Sequence, residues 1–184
     1  MRKYGIVMMR AQPFHLGHQA IINEILLDGL TPIIILGSSN YDRNINKNPL
    51  TFEQRRYLIK TIYPLSISHI IKSEDYEDWN TWYTKIYEAL RSILGPNLLE
   101  KAVVYYNEKE VDKCSFTFKE KEYKNTFYTD LFKDEGFVTK KIKFPTYTDI
   151  KIDAHARDIR ANLESKKHLL DARVYRTLKE WEWK

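Results

Sequence analysis

The stretch that decides the fold is "YGIVMMRAQPFHLGHQAIINEILLDGLTPIIIL", residues 4–36. It opens with the apolar run YGIVMM (4–9) and closes with PIIIL (32–36). Both runs are too short for core helices, and continuous apolar runs of that length read as strands buried on both faces. Between them, GHQAIINEILLDG (17–29) sets Ala20, Ile21, Ile25 and Leu26 at helical spacing and ends on Gly29, a residue suited to closing a helix. Strand, helix and strand in that order build a parallel pair. Two histidines, His15 and His18, flank Gly17 where the first strand gives way to the helix. They are either a polar corner of the fold or a place that handles a ligand.

The alternation continues along the chain. TFEQRRYLIKTIY (51–63) begins a helix at Thr51, two residues after Pro49. TWYTKIYEALRSIL (81–94) is a second helix, with Trp82, Ile86 and Leu90 on one side. ISHII (67–71), KAVVYY (101–106) and FVTKKIKF (137–144) read as further strands, and 156–167 and 171–183 as closing helices. Residues 107–135 fit loop, hairpin or short helix equally. The pattern predicts one domain over 1–184, an α/β fold with a parallel sheet covered on both faces and helices at the C-terminal end.

Composition narrows the function classes. The 184 residues are 43% hydrophobic and 30% charged, which fits a globular domain with its own core. No apolar run approaches the ~18–20 residues that span a bilayer, and no membrane association is expected. The N-terminal stretch meets Arg10 and Gln12 too soon for a secretory leader. Cys114 stands alone and reads as a structural thiol, so a reducing, cytoplasmic setting is expected. A net charge of +5 and a pI near 9.1 suit a phosphate-bearing small molecule. The 13 tyrosines and four tryptophans could stack bases, but no basic block accompanies them, and nucleic acid is not expected as a partner. KEKEYK (119–124) mixes both signs and reads as a solvated face.

In a parallel sheet, ligands collect beyond the carboxyl ends of the strands. His15 through His18 fall there. The start of the following helix offers unpaired N–H groups and a positive dipole end, and Gly17 leaves room for a phosphate to approach. Each imidazole can add an N–H donor, while Pro13 and Phe14 stiffen the approach and pack beneath it.

QPFHLGH (12–18) resembles the H-x-G-H signature of the nucleotidylyltransferase superfamily. LGSSNYDRNINKNPLTFEQRRYLI (36–59) resembles the second segment of one branch, the nicotinamide-mononucleotide adenylyltransferases of the archaeal type, which also form the front half of enzymes fused to a Nudix domain. The matching residues are Gly37, Ser38, Arg43, Lys47, Asn48, Pro49, Thr51, Phe52 and Arg55. EDYEDWNTW (74–82) is similar to the acidic-then-Trp segment that receives nicotinamide, and YNEKE (106–110) and FYTDLF (127–132) match more loosely. No Nudix domain is read in these 184 residues.

The resemblance implies a Rossmann-like, doubly wound sheet and adenylyl transfer from ATP to nicotinamide mononucleotide, giving NAD and pyrophosphate, with Mg²⁺ carried by ATP and a homo-oligomeric enzyme. It implies His15, His18 and Arg160 as catalytic residues. Arg10, Gln12, Phe14, Gly17, Tyr106 and Arg157 would join His18 and Arg160 around ATP, and Ser38, Arg43, Lys47, Asn48, Asp75 and Trp82 would hold the acceptor; no protein metal ligand is expected. Trp79 competes with Trp82 for stacking on the cationic ring. A helix cap is an equal use for Asp75, and solvation for Lys47. In IDAHARDIRANL (152–163), Asp158-Ile159-Arg160 fits the family's late turn. His155, Ala156 and Arg157 stand where Ser, a small residue and Thr are usual. A related transferase with another phosphorylated acceptor, or a non-catalytic nucleotide sensor, are the alternatives.

Overall fold

A computed structural model describes residues 2–40, 47–107, 113–142 and 155–183. Five parallel strands form the sheet: β1 (Tyr4–Met9), β2 (Thr31–Leu36), β3 (His69–Lys72), β4 (Ala102–Tyr106) and, after the hairpin described below, β7 (Val138–Lys141). Their order is β3-β2-β1-β4-β7. The chain winds outward from β1 to β3 and then returns to the other side of β1, so the order reverses between β1 and β4. In open α/β sheets ligands bind beyond the carboxyl ends where the strand order reverses, and the loop that carries the histidines follows β1 at that point.

Helices cover both faces. On one face α1 (Leu16–Leu27) and α2 (Phe52–Ile62) pack with the C-terminal helices α6 (Ala156–Ala161), α7 (Leu163–Lys166) and α8 (Ala172–Glu180) around Val7, Ile34, Leu36 and Tyr105. On the other, α3 (Trp79–Leu94), α4 (Leu98–Lys101) and α5 (Tyr128–Asp134) pack on Ile6, Ile33, Ile35 and Val104. Alternate residues of β1, β2 and β4 therefore feed two separate cores, as a pleated strand with both faces buried requires. Among the described residues no helix is long and apolar enough to cross a membrane.

Local chemistry sets the boundaries. Thr51 caps α2 by accepting from the Gln54 N–H, and the Gln54 side chain accepts from the Thr51 N–H in return. α3 starts at Trp79, two residues before the sequence pattern indicates, because Asp78 accepts from the Thr81 N–H at 2.8 Å. Asp78, not Asp75, is thus the cap. The helix expected over 156–167 is broken at Asn162, whose extended backbone ends α6 and whose side chain caps α7 by accepting from Ser165 N–H. Asn favours that use because its short amide competes with the helix for backbone partners.

The unread segment 107–135 contains an antiparallel hairpin, β5 (Cys114–Phe118) and β6 (Lys121–Thr126), followed by α5. KEKEYK (119–124) is exposed at every position except Tyr123. Lys119 reaches Glu135, just beyond α5, and Lys121 reaches Asp134 at its end, while Tyr123 turns inward onto Phe116. Cys114 is half-buried at the hairpin's start.

α1 lies very close to β1. A Cβ built on Gly5 would stand 2.3 Å from Cγ2 and 2.8 Å from Cγ1 of Ile25, a fully buried side chain. Gly5→Ala is expected to cost about 1–3 kcal/mol in urea unfolding through this overpacking. Adding Ile25→Ala should recover part of that loss, and strictly additive effects of the two changes would contradict the contact.

Candidate nucleotide-binding site

The β1–α1 loop closes on itself through its histidines. His15 occupies the N-cap of α1 with extended backbone, and its Nδ1 accepts from the Gly17 N–H at 3.1 Å. The His15 N–H donates to Nδ1 of His18 at 3.2 Å. This is a capping box made of two imidazoles, where hydroxyl and carboxylate side chains are usual. The rings stack with centroids 3.8 Å apart, and Phe14 lies parallel to His18 on the next level, 5.8 Å away. His15 and Phe14 are fully buried and His18 nearly so.

Burial dictates the protonation. Desolvation, reinforced by the nearby His155, lowers the His15 pKa to about 3, and desolvation followed by the His15 charge lowers that of His18 well below its ordinary value. Both rings are neutral at pH 7. Since each Nδ1 accepts from a backbone N–H, each ring carries its single proton on Nε2. The sequence expectation of open N–H groups at the helix start therefore needs a correction: the Gly17 N–H is already taken by His15. Two oriented imidazole Nε2–H donors stand at that point as well.

The basic residues gather beside them. Arg160, from α6, donates through Nη1 to the Gln12 carbonyl at 2.7 Å, while its buried Nε has no hydrogen-bond partner among the described residues. Burial lowers the Arg160 pKa, and the charges of Arg10 and Arg157 lower it further, so three guanidiniums repel one another here. No carboxylate among the described residues pairs with any of them. His155 precedes α6 and gives it no side-chain cap bond. A cluster of like charge around a partly desolvated arginine is complementary to a polyanion.

Several predicted residues serve as framework. The Gln12 side chain is pinned to Leu50 by two bonds, Nε2 to the Leu50 carbonyl at 2.8 Å and Leu50 N–H to Oε1 at 2.9 Å. Its part in the site is to hold two loops together, and Phe14 offers a ligand no exposed ring. Arg55, quoted in the sequence motif but not assigned a site role, is 1% exposed and donates to the carbonyls of Arg10 and Gly37 at 2.7 Å each and to Ser39 Oγ at 3.0 Å. It ties the ends of β1 and β2 to α2. Its signal was legible: Arg55, Leu58 and Ile59 form the buried face of α2, and a cation on such a stripe must satisfy something inside.

The acceptor candidates follow β2 and β3. Ser38 is buried with a left-handed φ of 50° in the turn after β2. Asn48 is 6% exposed, and its Oδ1 has no hydrogen-bond partner among the described residues. Lys47 is exposed, and Arg43 lies outside the described residues. Asp75 is exposed, its backbone N–H and carbonyl both bonded to the Asn40 side chain, which links the loops after β2 and β3. Sequence reasoning passed over Asn40. Tyr106 ends β4, half-buried, where its carbonyl accepts from Ile142 N–H. Trp82 sits in the first turn of α3, edge-on to Tyr128, Phe132 and Trp79, while Trp79 stacks on Phe116 at 4.0 Å. The two indoles are one aromatic unit, so the choice between them becomes a question of which face meets a ligand.

The folded-state histidines make stability depend on pH. In the unfolded chain they take up protons below their ordinary pKa of about 6.5, and in the folded chain they do not. Stability is thus complete above pH 6.5 and falls on acidification toward pH 3, by roughly 1.4 kcal/mol per pH unit for each histidine. His15→Asn keeps a cap acceptor but cannot titrate. Between pH 6 and 5 its urea stability is expected to fall less steeply than that of the wild type by about that amount, and equal slopes would refute the assignment.

No family model matches the chain. Among solved structures it is similar to a bifunctional NMN adenylyltransferase/ADP ribose pyrophosphatase from Francisella tularensis, with TM-score 0.71 and 19% identity over 98% of this chain and 50% of that one. A second structure of that description, complexed with AMP and a manganese ion, gives the same TM-score and identity. NadR protein in complex with NAD and AMP-PNP follows at TM-score 0.60 and 18% identity, covering 96% of this chain and 46% of that one. A putative nicotinate-nucleotide adenylyltransferase from Vibrio parahaemolyticus has TM-score 0.52 and 15% identity, with 98% and 93% covered. The chain spans about half the length of the first three. At these identities the likeness establishes the fold, and the chain shares with these proteins a Rossmann-like α/β architecture built on a parallel five-stranded sheet.

Proposed function

We propose that the chain transfers the adenylyl group of ATP to nicotinamide mononucleotide, forming NAD and releasing pyrophosphate. The observation that carries this reading is the meeting of two neutral, Nε2-protonated imidazoles with the Arg10–Arg157–Arg160 cluster at the carboxyl edge. The likeness to structures described as NMN adenylyltransferases supports it. The aromatic unit of Trp79 and Trp82 suits a flat cationic ring.

The acceptor phosphate has a second pKa of about 6 and is mostly dianionic at neutral pH, so no general base is needed. One of its oxygens bonds to the α-phosphorus of ATP as the bond from that phosphorus to the α–β bridging oxygen breaks, and pyrophosphate leaves with the electron pair. The protein's work is to align two anions and stabilise charge on the phosphoryl oxygens. Neutral imidazoles suit this because they donate without titrating. In this reading His18 faces the α-phosphate and His15 the β/γ side. Arg160, with Arg10 and Arg157, neutralises the triphosphate, and Arg43 and Lys47 receive the acceptor phosphate. His155 and Arg157 take over as donors from the hydroxyls usual in the late turn. Among the described residues no three His, Cys, Asp or Glu side chains converge to hold an ion. Mg²⁺ enters as part of the substrate, on the phosphate oxygens.

The altered turn at His155–Arg157 also favours a second reading, a nucleotide sensor without turnover. Incubation with ATP, Mg²⁺ and nicotinamide mononucleotide separates the two: dinucleotide and pyrophosphate are expected in equal amounts. Tight ATP binding with no pyrophosphate for any phosphorylated acceptor would instead support the sensor. His18→Ala is expected to lower turnover on the order of a hundred- to a thousand-fold while the fold is retained in circular dichroism, at a melting temperature lowered by the lost cap bond. Near-normal turnover would remove His18 from the mechanism.

A further inference from the structure

Nε of Arg160 and Oδ1 of Asn48 are both buried and lack hydrogen-bond partners among the described residues. They belong to one framework: Arg160 binds the Gln12 carbonyl, and the Gln12 side chain grips Leu50, two residues beyond Asn48. One atom is a cationic donor and the other a neutral acceptor. A buried carbonyl left unsatisfied is costly, so each atom asks for a ligand group of the opposite kind. An anion answers Arg160. Only an O–H or N–H answers Asn48.

Position narrows the choice. Along the carboxyl edge the strands run β3, β2, β1, about 4.8 Å apart. Trp79 and Trp82 follow β3 at the front of α3, the imidazoles follow β1, and the segment bearing Asn48 follows β2 and is pinned to the loop after β1. A mononucleotide has the same order: flat ring, sugar, phosphate. We propose that Asn48 Oδ1 accepts a hydrogen bond from a ribose hydroxyl of the acceptor nucleotide and thereby selects ribonucleotides over deoxyribonucleotides. This rests on the acceptor reading given above. Asn48 is a specificity residue for the sugar, set between the ring and the phosphate.

Calorimetric titration with nicotinamide mononucleotide and its 2′-deoxy and 3′-deoxy analogues tests this on the wild type, Asn48→Leu and Asn48→Asp. The wild type is expected to bind the ribonucleotide roughly tenfold more tightly than at least one analogue, as befits one hydrogen bond. Asn48→Leu, near in size but without an acceptor, should bind all three alike. Asn48→Asp keeps an oxygen acceptor and should keep the preference, which serves if the leucine variant fails to fold. A wild-type ratio near one, an unchanged ratio in Asn48→Leu, or a lost ratio in a folded Asn48→Asp overturns the proposal. Dinucleotide formation is scored separately. Selective binding without dinucleotide removes adenylyl transfer and keeps Asn48's role, whereas dinucleotide without selectivity does the reverse. Absence of any binding of nicotinamide mononucleotide defeats both.

Discussion

The rest of the site depends on the reciprocal cap between His15 and His18. At most helix starts the capping side chains are small and solvated. Here they are two buried aromatic heterocycles, stacked at 3.8 Å, with Phe14 lying parallel to His18. Putting imidazoles there lets one set of bonds do two things. Nδ1 of each ring finishes the backbone of α1, and that choice forces the remaining proton to Nε2. Folding itself thus selects the tautomer, and desolvation holds both rings neutral.

Around this pair a buried scaffold fixes the approach of everything else. Arg55 gathers the carbonyls of Arg10 and Gly37, so the ends of the two central strands cannot separate without stranding a buried cation. Gln12 fastens the loop before α2 to the loop before α1, and Arg160 docks α6 onto the same Gln12. Guanidiniums thus appear in two roles. Arg55 is wholly consumed by acceptors of the protein, whereas Arg160 keeps a buried N–H in reserve, among cations instead of carboxylates. That contrast distinguishes a strut from the arginine proposed to bind the triphosphate.

The fold was legible where the apolar period was clean. The β1–α1–β2 unit lies within a residue or two of its expected bounds, because YGIVMM and PIIIL are apolar on both faces and His15 and Gly29 punctuate the helix between. The hairpin after β4 was not legible, since its strands place single aromatics, Phe116 and Tyr123, among charged residues and bury only one side. The break at Asn162 was hidden for a similar reason: asparagine in a polar helix gives no hydrophobic signal. The spacing of His15, Gly17 and His18 pointed to a helix start, and the structure places there two buried imidazoles that cap it. What sequence could not supply was division of labour. Gln12 turns out to be a clamp and Asp78 the cap of α3, and Asn40 joins two loops through a pair of bonds that no local pattern announces.

The central claim is that two neutral imidazoles, each protonated at Nε2, are built into the start of α1. Long-range ¹H–¹⁵N NMR on ¹⁵N-histidine-labelled protein reads this directly. The account predicts that His15 and His18 show a protonated Nε2 and a bare Nδ1 at pH 7, and that neither ring titrates between pH 8 and pH 5. A proton on Nδ1 of either ring, or an imidazolium appearing with a midpoint near 6.5, would contradict it.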